Sequence, residues 1–282
     1  MKAAMERDDP LKHKTHVSGP FLRWAGSKRQ LLPRLRTFWR PEHKRYIEPF
    51  VGSAALFFEL QPNSGVLGDL NPELIETFRQ VRNRPRKVSE ALRSFPRGKK
   101  EYYEIRSVDP KTLSPIEAAA RFIYLNRFCF NGLFRTNLGG RFNVPYAPSG
   151  TGELPREERL VQCAKLLRRV ELRIGDFADT LHDVAEGDFV YMDPPFAVQK
   201  RRIFREYCPG VFACHDLDRL GNLLQDIHGK GARFVVSYAD CSEARRIFSS
   251  WHPRRVRTKR NIAGFSESRR YAYELIVTNA DD

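Results

Sequence analysis

The residues best suited to chemistry are Asp193, Pro194, Pro195 and Phe196, which directly follow the apolar run Phe189 to Met192. Such a run reads as a buried strand, and the end of a buried strand is where a doubly wound sheet opens its ligand crevice. The residue before a proline is confined to extended geometry and prolines fix φ, so the Asp193 carboxylate and the Pro194 carbonyl can be presented rigidly. Two such acceptors can hold the hydrogens of an amino group whose lone pair is delocalised into an aromatic ring. They also stabilise the positive charge that builds as that nitrogen attacks an electrophilic carbon. Phe196 offers a face on which a base can stack. Asp and Pro also end strands in ordinary turns, so these four residues alone leave both readings open.

A second group lies in Tyr46 to Ala54, YIEPFVGSA, where a strand breaks into a loop containing Glu48, Phe50, Gly52 and Ser53 before a helix begins. Small residues in such a loop let a nucleoside-like group approach the backbone. The segment has neither GxGxxG spacing nor GK[ST], so neither NAD nor a P-loop nucleotide is favoured, and a plain strand-turn-helix fits it equally. Asp69 ends the next apolar run, where an acid can accept both hydroxyl hydrogens of a ribose. It also suits the start of the helix that Asn71-Pro72 opens.

These groups need strands to hold them. Short apolar runs alternate with helix-period segments in the manner of βα units. Strands are expected at Tyr46 to Phe50, Gly65 to Gly68, Glu171 to Gly175, Phe189 to Met192, Arg233 to Ser237 and Tyr273 to Thr278. Helices such as Ala54 to Leu60 and Leu217 to His228 lie between them. The fold class is α/β, a mainly parallel, doubly wound sheet. Residues 84–152 break the alternation with helices near Glu101 to Ser107 and Pro115 to Arg127 and then a Gly, Asn and Pro-rich segment. They read as an inserted, mostly helical domain. Residues 20–83 and 153–282 would form the main domain, behind a polar tail at 1–19.

The chain has 282 residues, is 41% hydrophobic and carries a formal net charge of +15. Its 36 Arg against 13 Lys favour a polyanionic partner, because the guanidinium fork matches phosphate and guanine, although base composition of the gene also produces Arg excess. Lys200, Arg201 and Arg202 suit phosphate contacts, as an ordinary solvated face also would. Five cysteines without a CxxC pair or nearby His in ligand spacing give no metal site and read as reduced thiols. No apolar stretch spans a membrane and no signal peptide opens the chain, so a cytoplasmic protein is expected.

Taken in order, Phe21-Leu22-Arg23-Trp24-Ala25-Gly26-Ser27-Lys28, the EPFVGSAALFF loop, Asp69-Leu70-Asn71, Gly175-Asp176-Phe177 and DPPF resemble the Dam-type (D12 class, alpha group) DNA adenine methyltransferases. The resemblance runs from Phe21 to about Asn279. Its most specific stretch is Tyr124 to Tyr146, YLNRFCFNGLFRTNLGGRFNVPY, which looks like the family's target-recognition segment. The resemblance implies a Rossmann-like sheet and S-adenosylmethionine as methyl donor, leaving as S-adenosylhomocysteine, with no metal required. Trp24, Ala25, Gly26 and Lys28, the loop residues Glu48, Phe50, Gly52 and Ser53, and Asp69 would bind the donor. Asp176 and Phe177 would hold its adenine, and Asp193 would reach both donor and base.

The resemblance further implies double-stranded DNA as partner, methylation at N6 of a flipped adenine, and GATC or a related short site. Asn131, Gly132, Leu133, Arg135, Asn137, Arg141, Asn143 and Pro145 fall on the DNA-reading hairpin, where Arg135 suits a bidentate contact with guanine. A bacterial or phage-encoded monomer or weak dimer is expected, with any cognate restriction endonuclease as a separate chain. The same chemistry on RNA and a catalytically dead DNA-binding module are the alternative readings. Departures from the pattern are Phe196 where the family usually has Tyr, AGSK where AGGK is common, and Tyr238-Ala239 in place of Asn-Ser. The segment between Ala197 and Ala213 reads as a flap over the site.

Overall fold

Seven strands make one sheet: β1 (Tyr46–Glu48), β2 (Gly65–Asp69), β3 (Val170–Ile174), β4 (Phe189–Met192), β5 (Arg233–Ala239), β6 (Arg254–Lys259) and β7 (Tyr271–Thr278). The structure, a computed structural model, describes residues 19–24, 26, 28–137, 139–147, 153–196, 212–259 and 271–280. The tail expected at 1–19 (apart from Gly19), the flap before Phe212, Ala25, Lys200, Arg201 and Arg202 therefore lie outside the described residues. The spatial order is β3-β2-β1-β4-β5-β7-β6, parallel through β5, with β7 and β6 antiparallel at one end. This is the doubly wound, Rossmann-like α/β sheet expected from the sequence.

Strands β1 and β4 are buried at every residue, as central parallel strands covered on both faces must be, whereas edge strand β3 alternates. Strand β6 was not expected, because Arg254, Arg255 and Arg257 obscure its pattern. Among its described side chains only Val256 and Thr258 turn inward, and its register with β7 fixes it. Charged outward residues on such an edge also resist further strand pairing.

Ten helices are described: α1 (Leu32–Leu35), α2 (Ala55–Leu60), α3 (Pro72–Asn83), α4 (Pro85–Ser94), α5 (Lys99–Ser107), α6 (Pro115–Phe128), α7 (Glu157–Leu167), α8 (Phe177–Leu181), α9 (Cys214–Gly229) and α10 (Ser242–Ile247). The start of α3 is set as its sequence demands: the Asn71 carboxamide oxygen accepts the Leu74 N–H at 3.2 Å and Pro72 takes the first turn. Ser114 and Glu117 close a reciprocal capping box on α6.

Successive strand residues point to opposite faces, and the two faces have separate cores. Tyr46 and Phe189 join one apolar cluster, whereas Ile47 and Val190 join the other, beneath α9. The first cluster runs without a break into the inserted segment through Tyr102, Phe122 and Tyr124. The insert's long helix α6 lies against α3 and α4, which α7 also covers. The hydroxyl of Tyr102, itself fully buried, donates to the Val144 carbonyl at 2.9 Å and ties α5 to the hairpin that follows α6.

Because the insert shares the sheet's core, Tyr102→Ala is expected to cost about 3–5 kcal/mol and to lower the melting midpoint of the whole chain in one cooperative transition. Calorimetry checks this. A separate low-temperature transition for the insert would contradict the shared core.

Candidate active site

Neighbouring parallel strands β1 and β4 release their chains side by side at the carboxyl edge of the sheet, where strand order reverses, and a crevice results there. After β1 the backbone turns through left-handed conformations at Gly52 (φ 46°) and Ala54 (φ 55°). A Cβ at Gly52 would stand 2.8 Å from Cδ1 of Trp24, so glycine there lets the indole lie against the loop. The Gly52 N–H donates to Asp69 Oδ2 at 3.2 Å and the Asn71 N–H to Oδ1 at 3.0 Å. Asp69 is thereby fixed at the tip of β2. Burial pushes its carboxyl up to about 6 against the pull of those amide donors.

The resulting cleft has a volume of about 790 Å³. Trp24, Gly26 and Lys28 line it with Glu48, Phe50, Gly52 and Ser53; Asp69, Asp176 and Phe177 line it further along, and Asp193 through Phe196 close it. Every described residue that the sequence assigns to catalysis or to the donor therefore meets in one cavity. Among the described residues, no group of three or more His, Cys, Asp or Glu is arranged to hold a metal ion, and no helix is long and apolar enough to cross a membrane.

One end of the cleft is aromatic. The rings of Phe50 and Phe177 lie 5.3 Å apart, and the Arg219 guanidinium sits 4.7 Å above Phe177. Arg219 donates to Asp176 Oδ1 and to Asp216 Oδ1, both at 2.7 Å. Asp176 also accepts the Ala178 N–H and caps α8.

The other end is a polar floor. Lys28, 8% exposed, places Nζ 2.7 Å from Asp193 Oδ1 and 3.7 Å from Glu274 Oε2, and donates to the Gly26 carbonyl at 3.2 Å. Ser237 hydrogen-bonds Asp193, and the Tyr191 hydroxyl lies 3.1 Å from the Ser237 oxygen. Tyr46 donates to Glu48 Oε2 at 2.9 Å. Burial pushes the Asp193 carboxyl up to about 6, with Lys28 pulling it down and Glu274 adding to the rise. Burial also drives Glu48 well above the usual carboxylate range. Phe196 stands at the rim, edge-on to Tyr238 at 5.5 Å and 5.3 Å from the Lys28 ammonium.

The hairpin residues do not line the cleft; they stand beside its Trp24 wall. Phe134 stacks on Trp24 with ring centres 6.2 Å apart, and a Cβ on Gly132 (φ 64°) would meet Arg23 at 2.8 Å. The Arg135 Nε donates to Asn143 Oδ1 at 2.7 Å. The Asn137 oxygen accepts the Gly139 and Arg141 N–H groups and closes the tip. Leu133 is half-buried against the core, while Asn131, Arg141 and Pro145 are exposed.

Several residues of the site escaped the sequence reading: Tyr191, Asp216 and Arg219 line the cleft, the last two from the first turns of α9, while Ser237 and Glu274 are buried behind it against Asp193 and Lys28. Glu274 was recoverable, because an acid inside the apolar run Tyr273 to Val277 has no reason to be there unless something pairs with it. Arg219 left no such signal on an exposed helix face.

Comparison with known proteins places the chain in a family. Residues 24–262 match the family model of the D12 class N6 adenine-specific DNA methyltransferases. The chain is 34% identical over 269 residues to the Type II methyltransferase M1.LlaDCHI of Lactococcus lactis subsp. cremoris, covering 92% of this chain and 95% of the relative. It is 31% identical to the Type II methyltransferase M.MjaIII of Methanocaldococcus jannaschii, covering 92% and 98%. To the DNA adenine methylase of Haemophilus influenzae it is 31% identical, covering 95% and 94%. On the strength of a match that spans both the cleft and the hairpin, the chain belongs to the D12 class N6 adenine-specific DNA methyltransferase family.

Proposed function

We propose that this adenine-specific DNA methyltransferase takes its methyl group from S-adenosylmethionine and delivers it to N6 of an adenine turned out of double-stranded DNA, at GATC or a related short site. The observation that carries the reading is Asp193, held by Lys28 and Ser237 at one end of a cleft whose other end offers aromatic faces and a fixed carboxylate. The donor fits those residues. Gly52 leaves room beside the Trp24 indole, Asp69 is anchored by two amides as a ribose acceptor, and Phe50 and Phe177, packed on one another, line the same cleft with apolar surface that suits an adenine. Asp176, bound to Arg219, remains an acceptor at the same end.

When bound, S-adenosylmethionine supplies an electrophilic methyl on a sulfonium and departs as S-adenosylhomocysteine. The chain's residues do the rest. Asp193 and the Pro194 carbonyl accept the amino hydrogens of the base and turn its nitrogen lone pair toward the methyl, while Phe196 stacks on the ring. As the nitrogen–carbon bond forms, the carbon–sulfur pair withdraws to sulfur, and the ionised Asp193 faces the charge left on nitrogen. One N–H proton then passes to Asp193 and on to solvent.

In this reading residues 84–152 form the recognition insert and the hairpin reads the duplex. Arg135 makes the guanine contact, and Asn143 presets its guanidinium. Asn137 shapes the tip, and Arg141 meets a phosphate together with Lys200, Arg201 and Arg202.

Incubation with labelled S-adenosylmethionine and unmethylated plasmid, with mapping of modified adenines and structured RNA as a competing substrate, tests the reading. Label in one short DNA motif is expected, and label in RNA alone would defeat it. Asp193→Asn should lower kcat about a thousandfold with donor binding retained. Since Asp193 acts ionised and its carboxyl sits at about 6, kcat/KM should fall as pH drops through that value and hold level above it. Asp69, also at about 6, should make the fall steeper than a single proton gives. Arg135→Ala should cost about 1–3 kcal/mol in discrimination at one base pair, seen as methylation of near-cognate sites, and Asn143→Ala should relax the same position less.

A further inference from the structure

Three charged side chains meet at the polar end of the cleft, Lys28 and Asp193 lining it and Glu274 buried behind Lys28, and the mechanism above leaves Glu274 idle. Glu274 stands mid-way along β7 with Val256 and Ala239 as its partners in register. It is 7% exposed. The Thr258 hydroxyl reaches its Oε1 at 3.4 Å, while Oε2 has no hydrogen-bond partner among the described residues and faces Lys28 Nζ at 3.7 Å. A bare buried carboxylate oxygen is costly, so this strand carries Glu274 at the expense of its own packing.

The cost has an electrostatic counterpart. A lysine seated on Asp193 alone would cancel the charge of the very group that has to accept amino hydrogens. With Glu274 present, two carboxylates share one ammonium, and the cluster keeps one net negative charge beside a reacting centre that stays cationic from sulfonium to N-methylated amine. The other groups facing Asp193 do not supply that charge. Tyr191 and Ser237 are neutral hydroxyls, and burial favours the neutral form of Glu48, which Tyr46 caps with its hydroxyl.

We propose that Glu274 is a positioning residue for methyl transfer: by sharing the Lys28 ammonium from behind, it keeps the Asp193 carboxylate available to the adenine amino group and the polar end of the cleft anionic. The inference rests on the role assigned to Asp193 in the preceding subsection.

Steady-state kinetics on the full chain, with donor binding followed by calorimetry, test it. Glu274→Gln should lower kcat about tenfold and leave donor affinity unchanged. It should also move the acid limb of kcat/KM to lower pH, because the like charge that hinders ionisation of Asp193 is gone. Glu274→Asp should recover most of kcat and the original limb. Lys28→Gln combined with Glu274→Gln should lose less than the product of the two single losses, since each removes what the other offsets. Wild-type kcat and limb in Glu274→Gln would overturn the proposal. So would equal losses in the Gln and Asp variants with an unmoved limb, the mark of packing alone. The two readings fail separately: an active Asp193→Asn removes the role of Asp193, whereas an inactive Asp193→Asn beside an indifferent Glu274→Gln removes only that of Glu274.

Discussion

The ion pair between Lys28 and Asp193 sets the terms for the rest of the molecule. Two charges withdrawn from water are stabilised only where other dipoles meet their remaining demands, and one charge left alone there would be strongly destabilising. The surrounding structure meets those demands from four directions. Gly26 offers a carbonyl from the loop that carries Lys28, β5 brings the Ser237 hydroxyl, β4 sets Tyr191 behind it, and β7 contributes Glu274. Those segments come from distant parts of the chain. The antiparallel β7 is what delivers an acid to a place that a purely parallel sheet of βα units would leave to solvent.

Much of this was legible beforehand, and the reasons are specific. Phe189 to Met192 is apolar at every position because β4 is covered on both faces, so its end and Asp193 were plain. Asn71-Pro72 announced α3 because capping chemistry is local. What stayed hidden depends on partners remote in sequence. Strand β6 reads as a charge run until β7 pairs with it and selects Val256 and Thr258 as the inward residues. Residues 84–152 read as an inserted, mostly helical domain from their change of rhythm, and the sharing of one apolar cluster by Tyr102, Tyr124 and Tyr46 left no sign there. Arg219 carries no signal in the sequence, since its contacts to Asp176 and Asp216 over the face of Phe177 arise only from the fold.

Two of the chain's departures from its family's pattern turn out to be neighbours. Phe196 ends the proposed catalytic motif without a hydroxyl, and Tyr238 stands where the resemblance leads one to expect a smaller polar residue. The two rings meet edge to face, with Tyr238 fully covered beneath the rim. The aromatic surface offered to a base is thus braced from below by a second ring, which favours a fixed stacking plane over a mobile one.

Trp24 has two neighbours to which the proposed function gives unrelated duties, the loop at Gly52 and the hairpin residue Phe134, which in turn packs on Phe122 and Phe142. The hairpin is therefore not an interchangeable cassette. A graft that reads a different sequence but omits the ring at 134 would loosen a wall of the cavity it was never meant to touch. If the hairpin sets sequence preference as proposed, that preference can drift only along paths that preserve an aromatic at that position.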